Sequence, residues 1–163
     1  MRKAIAAGLL ALGFLSSCSN DGGGSEPPSI IGTWDAVELQ LDANTATQDE
    51  LLASDFLRIL AARNCYILAL TFEANGEATA ENSFDYLDLS GLAVGNFDIP
   101  CPTQADADSG TYTYENGVVT ITDAAGATSS VNVTLSGNLL TMDLEGSVFA
   151  DQISGGQLVF RKR

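Results

Sequence analysis

Apolar and polar positions alternate through the C-terminal half of the chain. Thr111-Tyr112-Thr113-Tyr114 runs into Asn116-Gly117, a favoured two-residue hairpin turn. Folding there sets Tyr114 opposite Val119 and Tyr112 opposite Ile121. The other face then sets Thr113 opposite Thr120 and Thr111 opposite Thr122. One face is apolar and the other is threonine, so turn and pattern select one register. A second two-residue turn, Gly137-Asn138, sets Leu135 against Leu140, Val133 against Met142 and Val131 against Leu144. Two such hairpins predict a meander of adjacent antiparallel strands. A last strand is predicted at Leu158-Val159-Phe160.

An earlier hairpin has two readings. Cys65 to Glu73 alternates, with Tyr66, Leu68, Leu70 and Phe72 on one face. A two-residue turn at Asn75-Gly76 would place Leu70 opposite Glu81. A three-residue loop, Ala74-Asn75-Gly76, pairs Phe72 with Ala78 and Leu70 with Ala80, and it keeps the apolar face intact. The three-residue loop is therefore expected, with Gly76 in the left-handed region.

One helix interrupts the β pattern. Leu52, Phe56, Ile59, Leu60 and Arg63 fall at helical spacing over 47–62. Thr47 and Glu50 form a capping-box pattern, although Ser54-Asp55 offers a second start. Residues 83–109 are irregular but apolar, with one strand near 84–89 as an option. A long connection of this kind is usually packed or functional. Residues 145–157 show no clear pattern.

The N-terminus carries Arg2 and Lys3, an apolar run from Ala4 to Leu15, and then Ser16-Ser17-Cys18. Charged, apolar and small residues follow the order of a secretory signal. Leu15-Ser16-Ser17-Cys18 resembles the lipobox of bacterial lipoproteins. That resemblance implies a signal peptide over 1–17, cleavage before Cys18 and acylation of Cys18. Residues 18–29 then form a lipidated, flexible tether, and 30–163 form one domain. Ser19, rather than aspartate, follows the cysteine. By the resemblance this favours the outer membrane, on the periplasmic face or the cell surface.

The chain of 163 residues has 21 acidic and 7 basic residues and no histidine. Arg2 and Lys3 leave with the signal. The acidity disfavours nucleic acid and direct docking on anionic lipid. Lack of histidine removes Ser-His and Cys-His machinery and most zinc sites. With Cys18 acylated, Cys65 and Cys101 form an even pair in an oxidising compartment, where a disulfide is expected. Its loop-entropy contribution would be about 4 kcal/mol.

Gly32-Thr33-Trp34, the helix, Leu70-Thr71-Phe72-Glu73-Ala74-Asn75-Gly76, Gly110-Thr111-Tyr112, Val118-Val119-Thr120-Ile121, Leu139-Leu140-Thr141-Met142 and Leu158-Val159-Phe160 follow one another in that order. The set resembles the lipocalin-like lipoproteins of Gram-negative envelopes. The resemblance implies an all-β, up-and-down antiparallel barrel with one inserted helix after the first strand. It also implies that Trp34 closes one barrel end under a last-strand arginine, Arg161 or Arg163. Lipocalins proper carry their long helix after the barrel, so the helix here is a departure.

Chemistry is sparse. Asp106-Ala107-Asp108-Ser109-Gly110 lacks the spacing and terminal glutamate of an EF-hand; Asp98, Asp106 and Asp108 could gather around a cation with backbone carbonyls, but a solvated acidic loop is the expected reading. No residue set supports catalysis, and neither a metal nor a cofactor is expected. The expected function is binding of a small apolar or amphipathic ligand by Tyr66, Leu68, Leu70, Phe72, Phe97, Tyr112 and Tyr114. The alternative is a filled barrel that acts through contact with an envelope protein. An enclosed apolar cavity of at least about 300 Å³ would separate the two.

Overall fold

The computed structural model describes residues 28–90, 99–145 and 155–163. The expected signal peptide, Cys18, most of the expected tether, Phe97, Asp98 and most of 145–157 lie outside the described residues. Eight strands form a closed antiparallel barrel in sequence order. They are β1 Gly32–Gln40, β2 Leu68–Phe72, β3 Glu77–Asn82, β4 Asp106–Glu115, β5 Val118–Asp123, β6 Thr128–Ser136, β7 Leu139–Asp143 and β8 Gln157–Lys162. Helix α1, Gln48–Ala62, lies between β1 and β2.

The hairpin registers follow the apolar pattern. Tyr114 pairs with Val119, Tyr112 with Ile121, Thr113 with Thr120 and Thr111 with Thr122. Leu135 pairs with Leu140 and Val133 with Met142, whereas Leu144 lies just past the end of β7. Phe72 pairs with Ala78 and Leu70 with Ala80, through the three-residue loop. Gly76 has φ +87°, the left-handed region where glycine carries no Cβ penalty. Outside the barrel, hydroxyls pair across strands: Thr33 with Thr71, Thr79 with Ser109 and Thr120 with Ser130.

One expectation needs correction, and β1 adds an irregularity that the pattern did not predict. Residues 84–86 form one 3-10 turn rather than a strand. The Asn82 carboxamide accepts from the Phe84 amide and bends the chain away from β3. The register of β1 against β8 also shifts between Ala36 and Glu38. This bulge switches the inward set, so Trp34 and Ala36 give way to Leu39.

α1 begins with the predicted capping box. The Thr47 hydroxyl accepts from the Glu50 amide at 3.3 Å, and a Glu50 carboxylate oxygen accepts from the Thr47 amide at 2.6 Å. The predicted stripe is only partly the buried one. Leu57 and Leu60 are buried, while Leu52 and Ile59 are exposed. Leu57 and Leu60 join one cluster with Leu39, Leu144 and Leu158, residues at the far ends of β1, β7 and β8. The Ser54 hydroxyl donates to the Leu39 carbonyl and fixes the helix to that end. Cys65 and Cys101 are joined as expected, with Cα atoms 5.5 Å apart.

The opposite end, where the hairpin turns gather, is packed. Trp34, Phe72, Phe160, Leu140 and Val119 are fully buried. The Trp34 indole donates to the Ile30 carbonyl at 2.7 Å, so the incoming chain closes this end.

Candidate functional site

Along β2 to β5 the barrel interior runs short of large residues. One cross-strand row reads Phe72, Ala78, Gly110, Asp123, and the next reads Leu70, Ala80, Asp108. Ala78, Ala80 and Gly110 stand where packed barrels carry bulk. They leave an apolar recess of ≈ 110 Å³, with Leu70, Phe72 and Ile121 as its apolar walls. Asp108 and Asp123 also line it. Gly110 is obligatory for a separate reason. A Cβ there would lie 2.4 Å from the Thr122 carbonyl oxygen, so β4 and β5 approach too closely for any side chain.

The structure separates the predicted ligand residues. Leu70 and Phe72 line the recess. Leu68 packs against the core from the same strand. Tyr112 packs edge-on to Phe72, with centroids 4.9 Å apart, and its hydroxyl donates to the Glu73 carbonyl at 3.0 Å. Burial, and then the nearby Glu73 charge, hold the Tyr112 phenol above its ordinary pKa. Tyr112 and Tyr114 line a different cleft, of ≈ 350 Å³, between residues 28–31 and the β2–β3 loop. Tyr66 stands apart from the core. It precedes β2 and its hydroxyl donates to Asn64. Ile67 is buried in its place, because the alternation breaks before the strand begins.

A family model for the lipocalin-like domain matches residues 30–142. The chain belongs to the lipocalin-like family. No curated protein matches it. Among solved structures, an uncharacterized protein from Bacteroides eggerthii DSM 20697 is similar at 13% identity, over 83% of this chain and 100% of that chain, with a TM-score of 0.45.

In this lipocalin-like barrel the cation beside Trp34 is a lysine, not Arg161. Lys162 is the direct cross-strand partner of Trp34, and its ammonium lies 5.1 Å from the ring centroid. Arg161 pairs with Asp35, on the opposite face of the sheet. Arg163 reaches the buried Asp35 carboxylate through both Nε and Nη2. Asp35 is 3% exposed, so this ion pair closes the outside of the same barrel end.

Asp106 and Asp108, expected in a solvated acidic loop, stand instead on strand β4, and the signal for their inward placement was in the sequence. The Asn116-Gly117 turn fixes parity along β4. Extending it upstream from Tyr112 puts Gly110, Asp108 and Asp106 on the inward face, and extending it past Ile121 does the same for Asp123. The Tyr86 hydroxyl donates to Asp106 at 2.8 Å, and that hydrogen bond and charge raise the Tyr86 phenol.

Proposed function

We propose that this lipocalin-like protein is a lipid-anchored, non-catalytic binding module of the outer membrane. It receives one apolar group of a small amphipathic ligand in the recess between β2 and β5. The recess itself carries this reading. Ala78, Ala80 and Gly110 leave ≈ 110 Å³ of apolar space in a barrel that is otherwise packed around Trp34, Phe160 and Leu140. Dry cavities of about 150 Å³ bind benzene-sized molecules. The recess suits a short alkyl segment or a ring, not a whole ligand of the kind that fills pockets of about 300 Å³ or more. The rest of the ligand stays outside. The lipobox at Cys18 supports the anchor.

The packed end, and a recess of ≈ 110 Å³ where a whole-ligand cavity would need about 300 Å³, favour a second reading, a filled barrel that works through protein contact. Titration with 1-hexanol, followed by the methyl NMR signals of Ala78, Ala80 and Ile121, distinguishes the two. Cavity binding gives saturable shifts that the filling variant Ala80→Leu abolishes while the circular dichroism spectrum is kept. Shifts that never saturate, or that survive Ala80→Leu, support the filled barrel.

A further inference from the structure

We propose that the recess prefers amphiphiles whose polar end is cationic, such as organic ammonium compounds; this deepens the cavity reading above and rests on it. The carboxylates at the recess are set by strand register. Asp108 continues the Leu70–Ala80 row, and Asp123 continues the Phe72–Ala78–Gly110 row. Both line the apolar space directly. Asp123 is fixed in place, because its Oδ1 accepts from the amides of Ala125 and Ala127, at 2.8 Å each. Asp106 lies two residues further along the inward face of β4 and adds a third charge.

The cations of the folded domain are elsewhere. No residue lining the recess is basic. Arg58 is paired with Asp55 on α1, and Arg63 donates to the Ile99 carbonyl. The other three stand together at the opposite end of the barrel. Lys162 lies beside Trp34 and donates to Ser29, Arg163 holds Asp35, and Arg161 lies between them in sequence.

An alkyl group seated against Leu70 and Ile121 therefore holds its polar end among carboxylates. A fatty carboxylate would add a like charge there, an alcohol adds none, and an ammonium is attracted. A metal ion is the poorer occupant. Hard cations take six to eight oxygen ligands, and no group of three metal-ligating side chains gathers among the described residues.

The test compares hexylammonium, 1-hexanol and hexanoate on the full-length Cys18→Ala chain at neutral pH, by the same methyl shifts. Hexylammonium should bind most tightly and hexanoate most weakly, with roughly tenfold or more between them, and the gap should shrink as salt rises. The Asp108→Asn/Asp123→Asn variant should bring hexylammonium to within about twofold of hexanol measured on the same variant, while a side-chain oxygen at 123 still accepts from the Ala125 and Ala127 amides and keeps the turn. Hexanol binding with no preference for the amine overturns the charge inference alone. A preference that survives in the double variant overturns it too. Binding of none of the three overturns the cavity reading and this inference with it.

Discussion

The Lys162 ammonium stands 5.1 Å from the Trp34 ring centroid, directly across the β1–β8 ladder. The ring is buried, so the contact is shielded on one side. Lys162→Met should cost about 0.5–1 kcal/mol through loss of the cation–π attraction. Arg161→Met, one residue away on the outer face, should change stability by less than about 0.5 kcal/mol. Urea unfolding of both variants checks the assignment. Equal losses would remove the special role of Lys162.

Asp35 and Arg163 give a larger expectation. Arg163→Ala leaves a buried carboxylate without its partner, which should cost about 1–3 kcal/mol. Asp35→Ala/Arg163→Ala removes both groups and should recover most of that loss. A double-mutant cycle with no coupling would show that water satisfies Asp35 equally well.

How far the fold was legible depended on where the signal is local. The three hairpins were readable because turn chemistry and alternation are both encoded within about ten residues. The capping box of α1 was readable for the same reason. The β1 bulge was not, since it arises only when β8 closes the barrel across more than a hundred residues. Choosing between Arg161, Lys162 and Arg163 depended on that same closure. The recess was hidden differently. It is made by what Ala78, Ala80 and Gly110 lack, and a missing side chain leaves no apolar or aromatic signal in the pattern. Tyr112 met the aromatic criterion but tethers β4 to the β2–β3 loop instead.

Cys18 offers a direct test of anchoring. α1 is the longest helix among the described residues, and none of them is long and apolar enough to cross a membrane. An acyl anchor at Cys18, which the lipobox resemblance implies, would hold the protein to a membrane without one. Cys18→Ala should move the protein from the membrane fraction to the soluble fraction. Protein that still pelleted after a high-salt wash would require another anchor.

Tyr112 links pH to stability. Its phenol is held above its ordinary value in the folded state, first by burial and then by Glu73. The folded chain thus keeps this proton to higher pH than the unfolded chain does. The contribution is complete below the unfolded value, about pH 10, and is lost as pH rises through the folded value. Tyr112→Phe should cost about 0.5–1.5 kcal/mol at neutral pH, through the lost hydrogen bond to the Glu73 carbonyl. It should also flatten the fall in urea midpoint between pH 9 and 11. An alkaline slope unchanged from the wild type would place the titrating group elsewhere.

The Cys65–Cys101 bond joins two segments that the barrel does not hold by strand pairing. Cys65 is buried just after α1, where its amide donates to the Leu60 carbonyl. Cys101 follows Ile99, which lies in the same buried cluster as Leu57 and Leu60. The bond therefore keeps residues 99–101 against α1, over the end of the barrel that α1 covers. Non-reducing peptide mapping should recover the linked pair. Cys65→Ser/Cys101→Ser should cost about 2–5 kcal/mol, by restoring freedom to the unfolded chain. Hydrogen exchange should quicken first in α1 and around Ile99, while the Tyr112–Ile121 hairpin stays protected, because its ladder does not pass through the bond. Uniform loss of protection across the barrel would instead make the disulfide a determinant of the whole fold.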